Sequence, residues 1–381
     1  MHGLDAIRAG ALLLGIVLHA LMPFVPGMPW MISDQAPVAY ALPANAVIHL
    51  FRMSVFMLLA GYFARVVVAK RGPARFLRER FVRIAVPVLA FWPLAVLPLG
   101  LISMWWHQKH GIPLPPPPAD PAAAFTPGQL WFLWVLMQVC LIVIAARALA
   151  LRLTPTWSRR LADGLSATTA GPVGFGLLAV TYLITLFWQA TNYSGIDAPT
   201  TLLPEASGLV AYGTAFVVGW LLARRPDSLQ RLGRRWRAYL VMAAITSAGV
   251  LLLGGLVGLP AGPNWALAVC SAASSAAWCF GLIGMGATHL REERAWIRYL
   301  ADASYWMYLL HLPLLVGIGA FLTHAPLLAE VKLLITMGLT TIILIVSYDL
   351  FVRSTWIGKW LNGRRHSRAL FRARGRDGFR P

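Results

Sequence analysis

Two side chains that apolar sequence seldom carries, Arg8 and His19, stand in the run LDAIRAGALLLGIVLHALMPF. An imidazole titrates near neutrality and is suited to taking a proton from a hydroxyl, whereas a guanidinium presents a rigid fork of donors to phosphate or carboxylate. A separation of eleven residues corresponds to about 16 Å of helical rise and almost three turns, so both project from one face. Asp5, three residues before Arg8, falls beside the guanidinium and would orient it. A second pair, His49 and Arg52, lies one turn apart in NAVIHLFRMSVFMLLAGYF. Arg52 either anchors its helix by snorkelling to an interface or faces His19 across a polar cavity.

Other polar groups repeat this duality. Arg80 and Arg83 in RERFVRIAVP share a helix face, either as topology determinants or as forked donors for a nucleotide-like polyphosphate. Ser304, Tyr308 and His311 fall at i, i+4 and i+7 in ADASYWMYLLHLPLLV, a stripe that serves as an interhelical seam or as a pocket wall, and Pro313 predicts a local kink. Gln129, Trp131 and Trp134 read as an interfacial belt or as a platform for a sugar ring, with the belt favoured for both tryptophans. Asp349 and Arg353, four apart, are expected to form a surface pair. Gly61 in GYF predicts close helix approach.

The elements that must position these residues are legible from composition. The chain of 381 residues is 58% hydrophobic and only 12% charged, with a mean hydropathy of +0.66. Crossing about 30 Å of hydrocarbon takes roughly 20 apolar residues as a helix, and about ten such windows occur. They lie near 6–25, 45–69, 84–106, 128–151, 172–190, 207–223, 238–259, 264–288, 299–322 and 331–352. The expectation is an all-α integral membrane protein, a bundle of about ten transmembrane helices spanning residues 1–352, followed by a basic tail over 353–381.

Charge placement gives orientation. The net charge of +19 gathers in alternate connections: Lys70 to Arg83, Arg152 to Arg160, Arg224 to Arg237, Arg291 to Arg298, and the tail from Arg353. This is the positive-inside pattern, so both termini and all basic loops are expected in the cytoplasm. The same placement argues against nucleic acid as a partner. Phe24 is followed by VPGMPW, without a small-x-small cleavage site, so the first run reads as a span rather than a secretory signal. Cys140, Cys270 and Cys279 sit inside spans and read as packing residues, with no disulfide or metal role. The Pro-rich connection HQKHGIPLPPPPADPAAAFTPG reads as extended chain, a plain spacer in the favoured reading or the fringe of a substrate entrance in the other. The tail is too polar to fold alone and reads as an anchor to anionic lipid.

The blocks LDAIRAGALLLGIVLH, IHLFRMSVFMLLAGYF, ERFVRIAVPVL, LWFLWVL, DASYWMYLLHLPL and YDLFVRSTWIGKWLNG, in this order, resemble the acyltransferase 3 family of membrane enzymes. Within it the sequence is similar to the branch that succinylates periplasmic glucans. That family carries an Arg and a His with ten residues between them in its first span, matched by Arg8 and His19, and an Arg-x-x-Arg matched by Arg80 and Arg83. Gln129 and Leu312 stand where the branch tends to carry histidine. The resemblance implies an O-acyltransferase of the bacterial inner membrane. Its co-substrate would be cytoplasmic acyl-CoA, either succinyl-CoA or acetyl-CoA, and its acceptor a carbohydrate hydroxyl, that of a periplasmic glucan. His19 would act as base or transient acyl carrier, Arg8, Arg80 and Arg83 would bind the CoA phosphates, and His49, Arg52, Trp131, Ser304, Tyr308 and His311 would line the acceptor or acyl pocket. Two alternatives stay open: O-acetylation of another polysaccharide or lipid-linked sugar, and a secondary transporter.

Overall fold

The computed structural model describes residues 2–28, 30–114, 126–189, 195–203, 206–257, 264–290, 292 and 294–370. The core of the Pro-rich loop, Arg291 and the tail beyond 370 lie outside these residues. Within lipid, backbone polar groups must be satisfied internally, and the described residues accordingly form helices and no strands. In chain order these are α1 (His2–Leu21), α2 (Ala41–Arg71), α3 (Pro73–Arg80), α4 (Val86–His110), α5 (Trp131–Leu153), α6 (Pro155–Thr168) and α7 (Pro172–Gln189). They continue as α8 (Ala206–Leu222), α9 (Ser228–Val257), α10 (Trp265–His289), α11 (Ala295–Leu322), α12 (Ala329–Ser347) and α13 (Trp356–Asn362). Among the described residues nine helical segments are long and apolar enough to cross a membrane, and α8 is a shorter apolar helix. All ten expected spans are therefore helices, and α9 starts well before the expected residue 238, carrying helix through the arginines that follow Ser228.

Close approach is built from small residues. A side chain on Gly61 of α2 would collide with the backbone carbonyl of Phe216 on α8, and one on Gly219 of α8 would collide with that of Leu58 on α2. The two backbones touch there, as the GYF motif predicts. Helix α1 occupies the interior, packing against α2, α10 and α11. Pro313 lacks the N–H that would bond the carbonyl of Leu309. Helix α11 nevertheless runs on through it, and the freed carbonyl accepts from Gln129 Nε2 at 2.9 Å.

One expectation needs correction. Asp349 is not on the surface: it is fully buried, and its carboxylate accepts from the backbone N–H groups of Ala369 (2.9 Å) and Leu370 (3.2 Å) while Arg353 lies 3.8 Å away. A buried carboxylate needs such partners, and the tail supplies them. Residues 363–370 consequently fold back onto the bundle, with Arg353 Nε donating to the carbonyl of Ser367 at 2.8 Å.

Candidate functional site

A cavity of about 850 Å3 runs along the interior face of α1. At one end, hereafter the basic end, Arg8, Arg80, Arg83 and Asn362 line it; His19, His49, Arg52 and His311 line its middle, and Trp30, Met31, Leu42 and Thr200 line the far end. Arg8 and His19 thus share a face, as their spacing requires. Asp5 Oδ1 stands 3.3 Å from Arg8 Nη2, and the same nitrogen donates to the carbonyl of Ala301 at 3.3 Å. The guanidinium is thereby held between α1 and α11 at the cavity mouth.

Arg80 closes α3 and Arg83 sits in the π-helical turn Phe81–Ala85 that follows. The ring of Phe76 supports the Arg80 guanidinium, 5.1 Å from its centroid, while the hydroxyl of Tyr305 donates to the Arg83 carbonyl at 2.8 Å. The Arg83 guanidinium packs over Gly363, where any side chain would overlap it. Just outside, His366 lies 3.5 Å from Asp302; burial lowers its pKa, outweighing the opposing pull of that carboxylate.

The middle of the cavity is made from three helices. His19 is half-buried, with Trp30 stacked at 6.0 Å and an interplanar angle of 11°, and with the His311 ring at 5.3 Å. Its Nδ1 lies buried without a hydrogen-bond partner. His311 Nδ1 contacts the carbonyls of Tyr308 (2.8 Å) and Met307 (3.2 Å). A carbonyl only accepts, so Nδ1 carries the proton and the Nε2 lone pair is left free. By the same reasoning His49 Nε2 donates to the carbonyl of Ile196 at 3.2 Å. Asn45 Nδ2 donates to the carbonyl of Leu18 at 3.1 Å, tying α2 to α1 beside His19.

Arg52 does not snorkel away from the bundle. Its guanidinium enters the space left by the missing side chain of Gly15, one turn before His19, and a Cβ there would overlap Nη1. Its Nε is buried without a partner. Among the described residues no carboxylate lies within ion-pair distance of this arginine, so the cavity holds a cation free to meet an anion. Ser304, Tyr308 and His311 form one wall, with the Tyr308 hydroxyl donating to the Gln129 carbonyl at 2.5 Å and Ser304 turned to the carbonyl of Ala301 at 2.7 Å.

Trp131 departs from the belt expectation: it is 9% exposed and lines the cavity, packed 5.6 Å from the ring of Tyr212. Trp134 lies outside the cavity and donates to the carbonyl of Leu202 at 2.7 Å. Gln129 and Leu312 both line the cavity and both are buried. Sequence reasoning missed Trp30, Asn45, Tyr305 and Asn362. Trp30 could have been suspected as an aromatic eleven residues after His19. Asn45 was visible as an amide in an apolar run. Among the described residues no group of three or more His, Cys, Asp or Glu could hold a metal ion.

A model of the acyltransferase domain of the acyltransferase 3 family matches residues 1–352. The chain belongs to the acyltransferase 3 family. It is similar to the glucans biosynthesis protein C of Salmonella schwarzengrund, 25% identical over 333 residues that cover 84% of this chain and 83% of that one. The proteins of the same name from Salmonella paratyphi B and Salmonella enteritidis are each 24% identical over equal shares. No solved structure matches the chain. The protein is a membrane acyltransferase, and the transporter alternative finds no support in this family.

Proposed function

We propose that the protein transfers an acyl group, succinyl in preference to acetyl, from cytoplasmic acyl-CoA to hydroxyls of a periplasmic glucan across the inner membrane. The observation that carries this reading is the continuity of the cavity from Arg8, Arg80 and Arg83, past His19, to the far end. A thioester and a hydroxyl entering from opposite ends meet at the imidazole. Both termini and the basic end face the cytoplasm in this reading, in keeping with the charge asymmetry.

In the transfer, His19 takes the proton from the acceptor hydroxyl as its oxygen attacks the thioester carbonyl. The tetrahedral oxyanion collapses, the carbon–sulfur bond breaks, and the departing thiolate recovers the proton from the imidazolium. The products are an ester and free coenzyme A. Arg8, Arg80 and Arg83 hold the phosphates of the donor, with Asp5 orienting Arg8. Arg52, a cation without a carboxylate partner, fits the free carboxylate of a succinyl group, and His49 lies one turn away on the same wall. Trp131, Ser304, Tyr308 and His311 shape the acceptor side. Holding both reactants in register removes much of the entropy barrier.

The test is mass spectrometry of periplasmic glucans from cells with and without the protein, joined to transfer assays with succinyl-CoA and acetyl-CoA on the purified chain. Succinyl esters that depend on the protein are expected. Unchanged glucans, or acetyl esters alone, would contradict the acceptor or the acyl assignment respectively.

A further inference from the structure

The basic end holds a second group of guanidinium cations, set apart from the cavity. Arg65 of α2, Arg147 of α5 and Arg224, just past α8, are all absent from the cavity lining. Arg65 stands six residues before the end of α2 and Arg147 six before the end of α5, so both sit at a depth of about 9 Å from their helix ends. The Arg65 guanidinium lies over the Trp220 ring, 5.9 Å from its centroid. Arg224 follows Trp220 by one helical turn, which brings it to the same place as Arg65, and Arg147, exposed on α5, adds a like charge beside Arg65. Nε of Arg65 and Nε of Arg224 are both buried without a hydrogen-bond partner. The one carboxylate paired within the group is Asp163 of α6, which meets Arg224 and is itself more than half exposed.

Three cations against one carboxylate, two of them with orphaned buried donors, form an arrangement that repels itself unless an anion enters. Its place selects the anion. Helix α6 joins α5 to α7 and packs against both and against α8, carrying Trp157 and Leu161 exposed on one side and Arg159 and Arg160 exposed beside them. Such a helix suits the plane of a membrane interface, where tryptophan also gathers. We propose that Arg65, Arg147 and Arg224 form a binding site for the phosphate of an anionic phospholipid headgroup, seated under α6. Free phosphate has the same chemistry, but the flanking apolar surface of α6 favours a phosphate attached to acyl chains. The site is independent of the transfer reaction and of the donor arginines.

The test uses the purified full chain, delipidated and then supplied with phosphatidylglycerol or phosphatidylcholine, with the retained lipid read by native mass spectrometry. Wild type is expected to retain phosphatidylglycerol selectively. Arg65→Gln should lower that retention at least about tenfold, as loss of a charge-assisted hydrogen bond implies. Asp163→Asn, which frees Arg224 from its competing carboxylate, should raise it, an effect that misfolding would not produce. Arg159→Gln, a change to an exposed arginine of α6, should leave it unaltered. The proposal is overturned if Arg65→Gln and Asp163→Asn behave as Arg159→Gln does, or if phosphatidylcholine is retained equally. If millimolar inorganic phosphate displaces the lipid in an Arg65-dependent way and stabilises the protein as strongly, the lipid assignment is overturned in favour of soluble phosphate.

Discussion

Lys332 and Arg52 both lie inside this apolar bundle, and their surroundings are opposite. Lys332 of α12 is 3% exposed and its ammonium is fully occupied: Asp34 holds it at 2.9 and 3.1 Å, and the carbonyl of Thr323 accepts from it at 3.1 Å. Asp34 also accepts from the N–H of Ala36 and anchors its own backbone to Pro23, so this pair fastens the loop after α1 over the far end of the bundle. Arg52 has none of this. It is sheltered by Gly15, faces open space and meets no carboxylate among the described residues. A buried charge with a complete set of partners belongs to the architecture, whereas a buried charge beside a cavity and without a partner belongs to a ligand.

Substitutions separate the two roles. The largest effect on stability is expected at Asp34→Asn, which strands the ammonium and should cost about 3–5 kcal/mol of folding stability, read as a lowered unfolding midpoint in detergent. Replacing both partners, as in Asp34→Leu with Lys332→Met, should recover most of that loss. Arg52→Gln should do the reverse, lowering succinyl transfer by roughly one to two orders of magnitude, the worth of a charge-assisted bond of about 1.5–3 kcal/mol, while leaving the unfolding midpoint unchanged. Gly15→Ala should push the guanidinium from its slot and reduce transfer less than Arg52→Gln, with a packing cost of about 1–3 kcal/mol. The smallest effect is expected at Gln129→Leu, which strands the Leu309 carbonyl freed by Pro313 and should cost about 1 kcal/mol. A rise in stability at Asp34→Asn, or a collapse of folding at Arg52→Gln, would dissolve the distinction.

The bundle was legible because lipid allows few solutions: runs of about 20 apolar residues must become helices. The stripe of Ser304, Tyr308 and His311, and the shared face of Arg8 and His19, followed from helical period alone. What was not legible depended on contacts between distant segments. The role of Asp349 hinges on two backbone N–H groups twenty residues onward. Trp131 reads as a belt residue until α5 is seen to turn it inward. The shelter of Arg52 depends on Gly15 in another helix, and Trp30 reaches His19 only because of how the loop after α1 folds. Helix α6, short and strongly charged, offered too little apolar length to register as an element.

The central claim is that the His19 imidazole, in the lining of the cavity, takes the hydroxyl proton during acyl transfer. Its most direct test is the rate of succinyl transfer by purified His19→Ala beside wild type, with thermal unfolding followed in parallel. A loss of roughly two to four orders of magnitude in rate, at an unchanged unfolding midpoint and with coenzyme A binding retained, is the predicted result. Near-normal transfer by this variant would contradict it.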